Sequence, residues 1–137
     1  MSLYVDSSSL LKLYVREPDS QSVEGLLRDA GHLITGRHTE IEVRRNLARL
    51  LADGPAQQAR AQFRRDWQSI SIVELDEVTC AVAAEISENT GARTLDALHL
   101  GAAHRSGLGA LSFMTHDLRQ ARTARSLGWT VLGAPQE

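Results

Sequence analysis

Three aspartates stand where a metal-dependent reaction would use them. Asp6 follows the apolar run Leu3-Tyr4-Val5, and Asp117 follows Leu111-Ser112-Phe113-Met114-Thr115-His116. Asp96 falls in the first turn of a helical segment over 94–103 that is apolar nearly all round. Taken singly, each is a favoured helix N-terminal residue: the carboxylate accepts backbone N–H groups and meets the positive end of the helix dipole, a contribution of about 1 kcal/mol. Ser, Thr or Asn would serve that purpose as well. Taken together they point to more. In a parallel sheet the C-terminal ends of the strands and the N-termini of the following helices share one edge, so the three acids converge. Converging carboxylates raise one another's pKa unless a cation lies between them. Oxygen donors with no Cys or His cluster beside them favour Mg²⁺ or Mn²⁺ over Zn²⁺. The chemistry implied is phosphoryl transfer or phosphodiester hydrolysis with water as nucleophile.

The elements that must position these acids follow from the apolar pattern. Leu3-Tyr4-Val5, Leu33-Ile34-Thr35, Ile70 with Ile72-Val73, the run 110–114 and Thr130-Val131-Leu132 read as five strands. Between them lie helical patterns: Leu10 to Tyr14; Val23, Leu26 and Leu27, ended by Gly31; 38–52 with Val43, Leu47, Leu50 and Leu51 on one face; and, opened by Pro55, a helix carrying Ala59, Phe63 and Trp67. Asp76 caps a helix through Val78, Val82 and Ile86 that ends at Gly91, and a last helix runs from 118 to 127 and ends at Gly128. Strands alternating with helices predict a parallel sheet covered on both faces. No repeat or interdomain linker interrupts the pattern, so residues 1–137 are expected to form one domain, with only 134–137 as a loose tail.

The totals bound the class. A chain of 137 residues holds a full hydrophobic core without staples. The formal net charge of -2 gives no global nucleic-acid signature. Lys12 is the only lysine and the other basic residues are all arginine, a skew that fits phosphate recognition but fits codon bias better. Cys80 is alone, so no internal disulfide forms, and within a helical pattern it reads as a small buried hydrophobe. Neither a signal-peptide pattern nor a run of transmembrane length is present, so a cytoplasmic protein is expected.

The N-terminal stretch Tyr4-Val5-Asp6-Ser7-Ser8-Ser9-Leu10-Leu11-Lys12-Leu13-Tyr14, with Glu17-Pro18 and Ser20, resembles the opening of PIN-domain ribonucleases, in particular the VapC toxins of bacterial toxin–antitoxin pairs. Thr94-Leu95-Asp96-Ala97-Leu98-His99-Leu100 is similar to that family's central acidic helix. Thr115-His116-Asp117 with Arg119, Ala121, Ala124, Leu127 and Gly128 is similar to its C-terminal motif, and Glu42-Val43-Arg44-Arg45-Asn46-Leu47 to its glutamate-bearing helix. The resemblance implies an α/β fold, a three-layer α/β/α sandwich with a five-stranded parallel sheet. It also implies Mg²⁺- or Mn²⁺-dependent cleavage of RNA, inhibition by a cognate VapB-like antitoxin, and a homodimer. Carried over by position, Asp6, Glu42, Asp96 and Asp117 form the acidic cluster. Asp6, Asp96 and Asp117 are the metal ligands, Glu42 completes the set, and Ser8 and Thr115 are hydroxyl neighbours. Ser7 stands where the family often has Thr, which keeps the hydroxyl.

Two glutamates compete for the fourth place. Glu40 projects near the apolar face of Val43 and Leu47, which would make it the inward acid. Glu42 lies on the flank, where a carboxylate suits a cleft at the sheet edge better than one aimed into the core. The resemblance selects Glu42 and leaves Glu40 as a first-turn residue at the helix dipole. His99 reads as a packing residue and His116 as a surface-turn residue. Arg44, Arg45 and Arg49, and Arg119, Arg122 and Arg125, read equally as phosphate contacts and as solvated helix faces. Two alternatives remain: a Mg²⁺-binding phosphoacceptor signalling domain, which should carry adjacent acids after the first strand and a lysine after the fifth, and a non-catalytic binding module whose acids are only caps.

Overall fold

The computed structural model describes residues 1–107 and 111–135. Five strands, β1 (Ser2–Val5), β2 (His32–Gly36), β3 (Ser71–Val73), β4 (Leu111–Thr115) and β5 (Val131–Gly133), form one sheet in the order β3-β2-β1-β4-β5. Every pairing is parallel, with Leu3 opposite Leu33 on one side and Ser112 on the other. The helices are α1 (Ser7–Leu10), running on into a 3₁₀ turn at Leu11–Leu13, α2 (Ser20–Asp29), α3 (His38–Leu50), α4 (Asp53–Trp67), α5 (Glu77–Thr90), α6 (Thr94–Ser106) and α7 (Leu118–Ser126).

Strand alternation divides the interior into two cores. Leu3, Val5 and Met114 face one way, into Leu10, Val23, Leu27, Val43, Leu47, Phe63 and Trp67 of α1 to α4. Tyr4, Ile34 and Phe113 face the other way, into Ala83, Ala97, Leu100, Ala103 and Ala124 of α5 to α7. The period of two along a pleated strand produces this split directly. The three-layer α/β/α arrangement read from the sequence is therefore present. On the second face, alanines and Gly101 let α5 and α6 approach closely: a Cβ added at Gly101 would sit 3.0 Å from the Ala83 Cβ.

The chain builds outward from β1 through β2 to β3, then returns to β1's other side with β4. That reversal makes the C-terminal ends of β1 and β4 a topological switch point, where open α/β sheets leave a crevice. Asp6 and Asp117 follow those two strands.

Several sequence expectations need correction. Leu50 is 45% exposed and drops off the apolar face of α3, while Val43 and Leu47 are buried. Leu95 is 50% exposed on the outer side of the first turn of α6, while Ala97 of the same turn is buried. Cys80 is exposed, on the outer side of α5, while Thr79 and Ala83 face inward. α4 begins at Asp53 rather than at Pro55, with Ala52 as its extended first cap. Ala134 is buried and donates its N–H to the Thr115 carbonyl at 2.8 Å, so the tail is anchored at that residue. The first residue of the expected fourth strand, 110, and the last two residues of the expected tail lie outside the described residues.

Candidate active site

Asp6 is the best-fixed of the predicted acids. It is 4% exposed, caps α1 from an extended backbone, and accepts Ser9 N–H at 3.2 Å and the Ser8 hydroxyl at 2.6 Å, both on Oδ1. The two bonds on one oxygen fix the rotation of the carboxylate. Ser8 also lies 3.3 Å from the Thr115 hydroxyl and accepts the His116 N–H at 2.9 Å, so β1 and β4 are tied through the hydroxyls predicted to neighbour the acid. Burial pushes the Asp6 carboxyl up, against the opposing charge of His99 and the Ser8 and Thr115 hydrogen bonds.

Asp117 caps α7, its Oδ1 accepting Arg119 N–H at 2.9 Å and Gln120 N–H at 3.2 Å. The capping reading is therefore correct for both residues, and it does not compete with a site: capping positions the acids at the switch point. Asp96 is different. It caps nothing, lies in the first turn of α6, and approaches Arg93 Nε only at 4.0 Å. Buried Gln120 donates to its backbone carbonyl at 3.0 Å, docking α7 against α6. Burial raises the Asp96 carboxyl first, and the negative charges of Asp117 and Asp6 add to the rise. Asp96 thus feels the charges of both other aspartates.

Glu42 and Glu40 separate cleanly. Glu40 turns to Arg37, 3.9 Å away, and borders a groove with Arg44, Arg60, Phe63 and Trp67 on the far side of α3. Glu42 reaches the acidic side, where its Oε1 lies 2.7 Å from His99 Nε2. Burial opposes its ionisation, yet the His99 hydrogen bond, the charges of His99 and His38 and the Ser7 hydroxyl hold it below the usual range. α3 is placed for this by a buried hydroxyl pair: Thr35 donates to the Val5 carbonyl at 2.7 Å and meets Thr39 at 2.7 Å.

The sequence reading missed the histidines. His99 is buried, as a packing residue should be, but its Nδ1 lies 2.8 Å from the Tyr4 hydroxyl while Nε2 bonds Glu42. His38, one turn before Glu42, is 4% exposed and 4.0 Å from His99 between ring centroids. Among the described residues, His38, Glu42 and His99 are the one trio whose ligand atoms all lie within 4.8 Å. Two histidines therefore lie beside Glu42, where the sequence predicts carboxylates without a histidine cluster. The available signals were the i,i+4 spacing of His38 and Glu42 and the i,i+3 spacing of Asp96 and His99. His116 is also no surface-turn residue: its side chain is 13% exposed and Nδ1 lies 2.7 Å from the Ser9 hydroxyl. Arg44, Arg45, Arg49 and Arg119 are exposed on helix faces, and Arg125 is taken up by the Ala134 and Pro135 carbonyls.

Comparison with known proteins accords with this geometry. Residues 3–126 match the family model described as PIN domain. The chain is 32% identical over 131 residues to Ribonuclease VapC46 of Mycobacterium tuberculosis, covering 96% of each chain, and 31% identical over 134 residues to Ribonuclease VapC47 of the same species, covering 93% of each. Among solved structures, VapC20 of Mycobacterium tuberculosis, a sarcin-ricin-loop-cleaving toxin, superposes with a TM-score of 0.68 at 17% identity over 87% of this chain and 94% of that one. VapBC2 of Rickettsia felis, bound to a promoter DNA fragment, superposes with a TM-score of 0.67 at 12% identity over 96% and 97%.

Proposed function

The chain belongs to the PIN-domain family, in its VapC ribonuclease group, and from that premise we propose that it is a divalent-metal-dependent endoribonuclease, the toxin of a toxin–antitoxin pair. The observation that carries the reading is the meeting of Asp6, Asp96 and Asp117 at the switch point, with burial raising Asp6 and Asp96 and the other two aspartates adding to the rise at Asp96. All-oxygen donors that repel one another fit a hard cation, Mg²⁺ or Mn²⁺. In this reading Asp6, Asp96 and Asp117 hold the cation, and Glu42, kept ionised, completes the acidic set. The bound cation supplies Lewis-acid chemistry, neutralising charge on the scissile phosphate and activating water.

The chain's own residues do the positioning. Ser8 and Thr115 fix Asp6, the α7 N-terminus fixes Asp117, and His99 fixes Glu42. Exposed Arg44, Arg45, Arg49 and Arg119 are available to RNA phosphates. A phosphoacceptor domain is disfavoured, because the only lysine, Lys12, is held by Glu17 at 2.7 Å and Asp19 at 3.0 Å near the first helix. A capping scaffold is disfavoured by Asp96, which carries a desolvated charge and caps nothing.

The proposal extends to a single domain spanning residues 1–137, a VapB-like antitoxin, a homodimer and a cytoplasmic location. No helix among the described residues is long and apolar enough to cross a membrane, which is compatible with that location. Expression of the chain without a partner should arrest growth, and Asp6→Ala should be harmless at equal soluble level. Equal toxicity of the two proteins would overturn the nuclease reading.

A further inference from the structure

We propose that His38, Glu42 and His99 form a transition-metal site of the two-imidazole, one-carboxylate type, which takes Zn²⁺ or a similar borderline cation. The inference stands on these three side chains and survives if the chain proves to cleave no RNA.

The first argument is geometric. His38 and Glu42 stand one turn apart on α3, and His99 comes from α6 to meet them. His99 Nε2 lies 2.7 Å and His38 Nε2 3.9 Å from Glu42 Oε1. Metal–ligand distances of about 2.0–2.2 Å place tetrahedral ligand pairs about 3.3–3.5 Å apart. The shorter separation must open and the longer close by well under an ångström, which small side-chain rotations achieve.

The second argument is the condition of His38. It is 4% exposed, and neither ring nitrogen has a hydrogen-bond partner among the described residues. The Leu95 backbone lies near enough to favour the charged ring, but not in hydrogen-bond geometry. Buried polar atoms without partners are destabilising and rare, and an ion is among the partners that satisfy them. The ring is also accommodated deliberately: a Cβ at Gly36 would lie 2.6 Å from His38 Cε1 and 2.8 Å from its Nδ1.

The third argument is the support behind His99. A metal-bound imidazole normally donates its other N–H to an oriented partner. The Tyr4 oxygen lies 2.8 Å from His99 Nδ1 and is itself fixed by Gly36 N–H at 3.0 Å. Nitrogen donors select borderline transition metals, whereas the neighbouring aspartates offer only oxygen. The two sites therefore differ in the ion they prefer.

Titrating untagged, metal-free protein with Co²⁺ and reading its visible ligand-field absorption tests the site. In the ligand-field bands of the imidazole site, wild type and Asp96→Asn should each report one equivalent of similar affinity, whatever the aspartates also take up, and His38→Leu should bind there at least about tenfold more weakly. X-ray absorption of the Zn²⁺-loaded wild type should count two imidazoles, a result that requires no variant to fold. Unchanged affinity in His38→Leu, loss of binding in Asp96→Asn, or fewer than two imidazoles around Zn²⁺ would each overturn the proposal.

Discussion

Gly101→Ala perturbs the packing that places Asp96 and His99. An added Cβ would lie 3.0 Å from Ala83 Cβ and 3.1 Å from both its Cα and backbone N. Comfortable carbon contacts begin at about 3.5 Å, and two of the three opposing atoms are backbone. No side-chain rotation relieves the clash, so α5 and α6 must separate as bodies. Overpacking of this kind costs about 1–3 kcal/mol, against a gain of about 1 kcal/mol for replacing a helical glycine by alanine. The net is a loss of about 1 kcal/mol. Gly25 supplies the control, since it is also inside a helix but its Cβ would meet only the flexible end of Arg28, at 3.7 Å. Gly25→Ala should therefore gain most of the roughly 1 kcal/mol of helix propensity. The two variants should differ by about 2 kcal/mol, or about 6–10 °C in Tm for a chain of this size. Thermal unfolding followed by circular dichroism in chelator measures it. Shifts of the same sign and size would refute the claim that α5–α6 contact is backbone-limited.

Two further outcomes follow from the acids. Folded Asp6 and Asp96 retain protons that the unfolded chain, with carboxyls near 3.8, has released. Metal-free stability should accordingly fall as pH rises from that value through the raised ones. Glu42, held low, contributes in the opposite sense. Comparing wild type with Asp96→Asn isolates the aspartate: the variant should show the smaller fall, and identical pH–Tm curves would contradict the assignment. Glu42→Gln should lose most RNA cleavage while Glu40→Gln keeps it, because Glu40 pairs with Arg37 and borders the groove with Arg44 and Arg60, away from His99. A dead Glu40 variant beside an active Glu42 variant would reverse that order.

The residues that made the fold legible are local ones. Strands buried on both faces read as continuous apolar runs, as Leu3-Tyr4-Val5 does. Asp76 and Gly91 marked the ends of α5 through side-chain capping and a left-handed φ of 77°. The aspartates were legible because each follows a strand or opens a helix, which assigns it to one edge of a parallel sheet. The glutamate was harder: Glu40 and Glu42 stand about 200° apart on a helical wheel, and which of them meets the site depends on the facing element. His99 was illegible in its role because its partners lie far off in sequence, and the i,i+4 pair of His38 and Glu42 means little until His99 joins it. Tyr4 is 95 residues from His99, and Glu42 is 57. Exposure at Cys80 and Leu95 escaped for a related reason, since an alanine-rich helix with little amphipathic contrast does not declare which side meets the sheet.

The central claim is that the aspartates at the switch point make an RNA-hydrolysing metal site. The most direct measurement is cleavage of single-stranded RNA by purified chain, freed of bound metal and then given Mn²⁺, beside the same assay on Asp96→Asn. Cleavage should appear with Mn²⁺ and vanish with chelator in the wild type, and fall by at least about a hundredfold in the variant, which keeps its fold but not its cation charge balance. Cleavage that persists in chelator, or an Asp96→Asn protein as active as wild type, would contradict it.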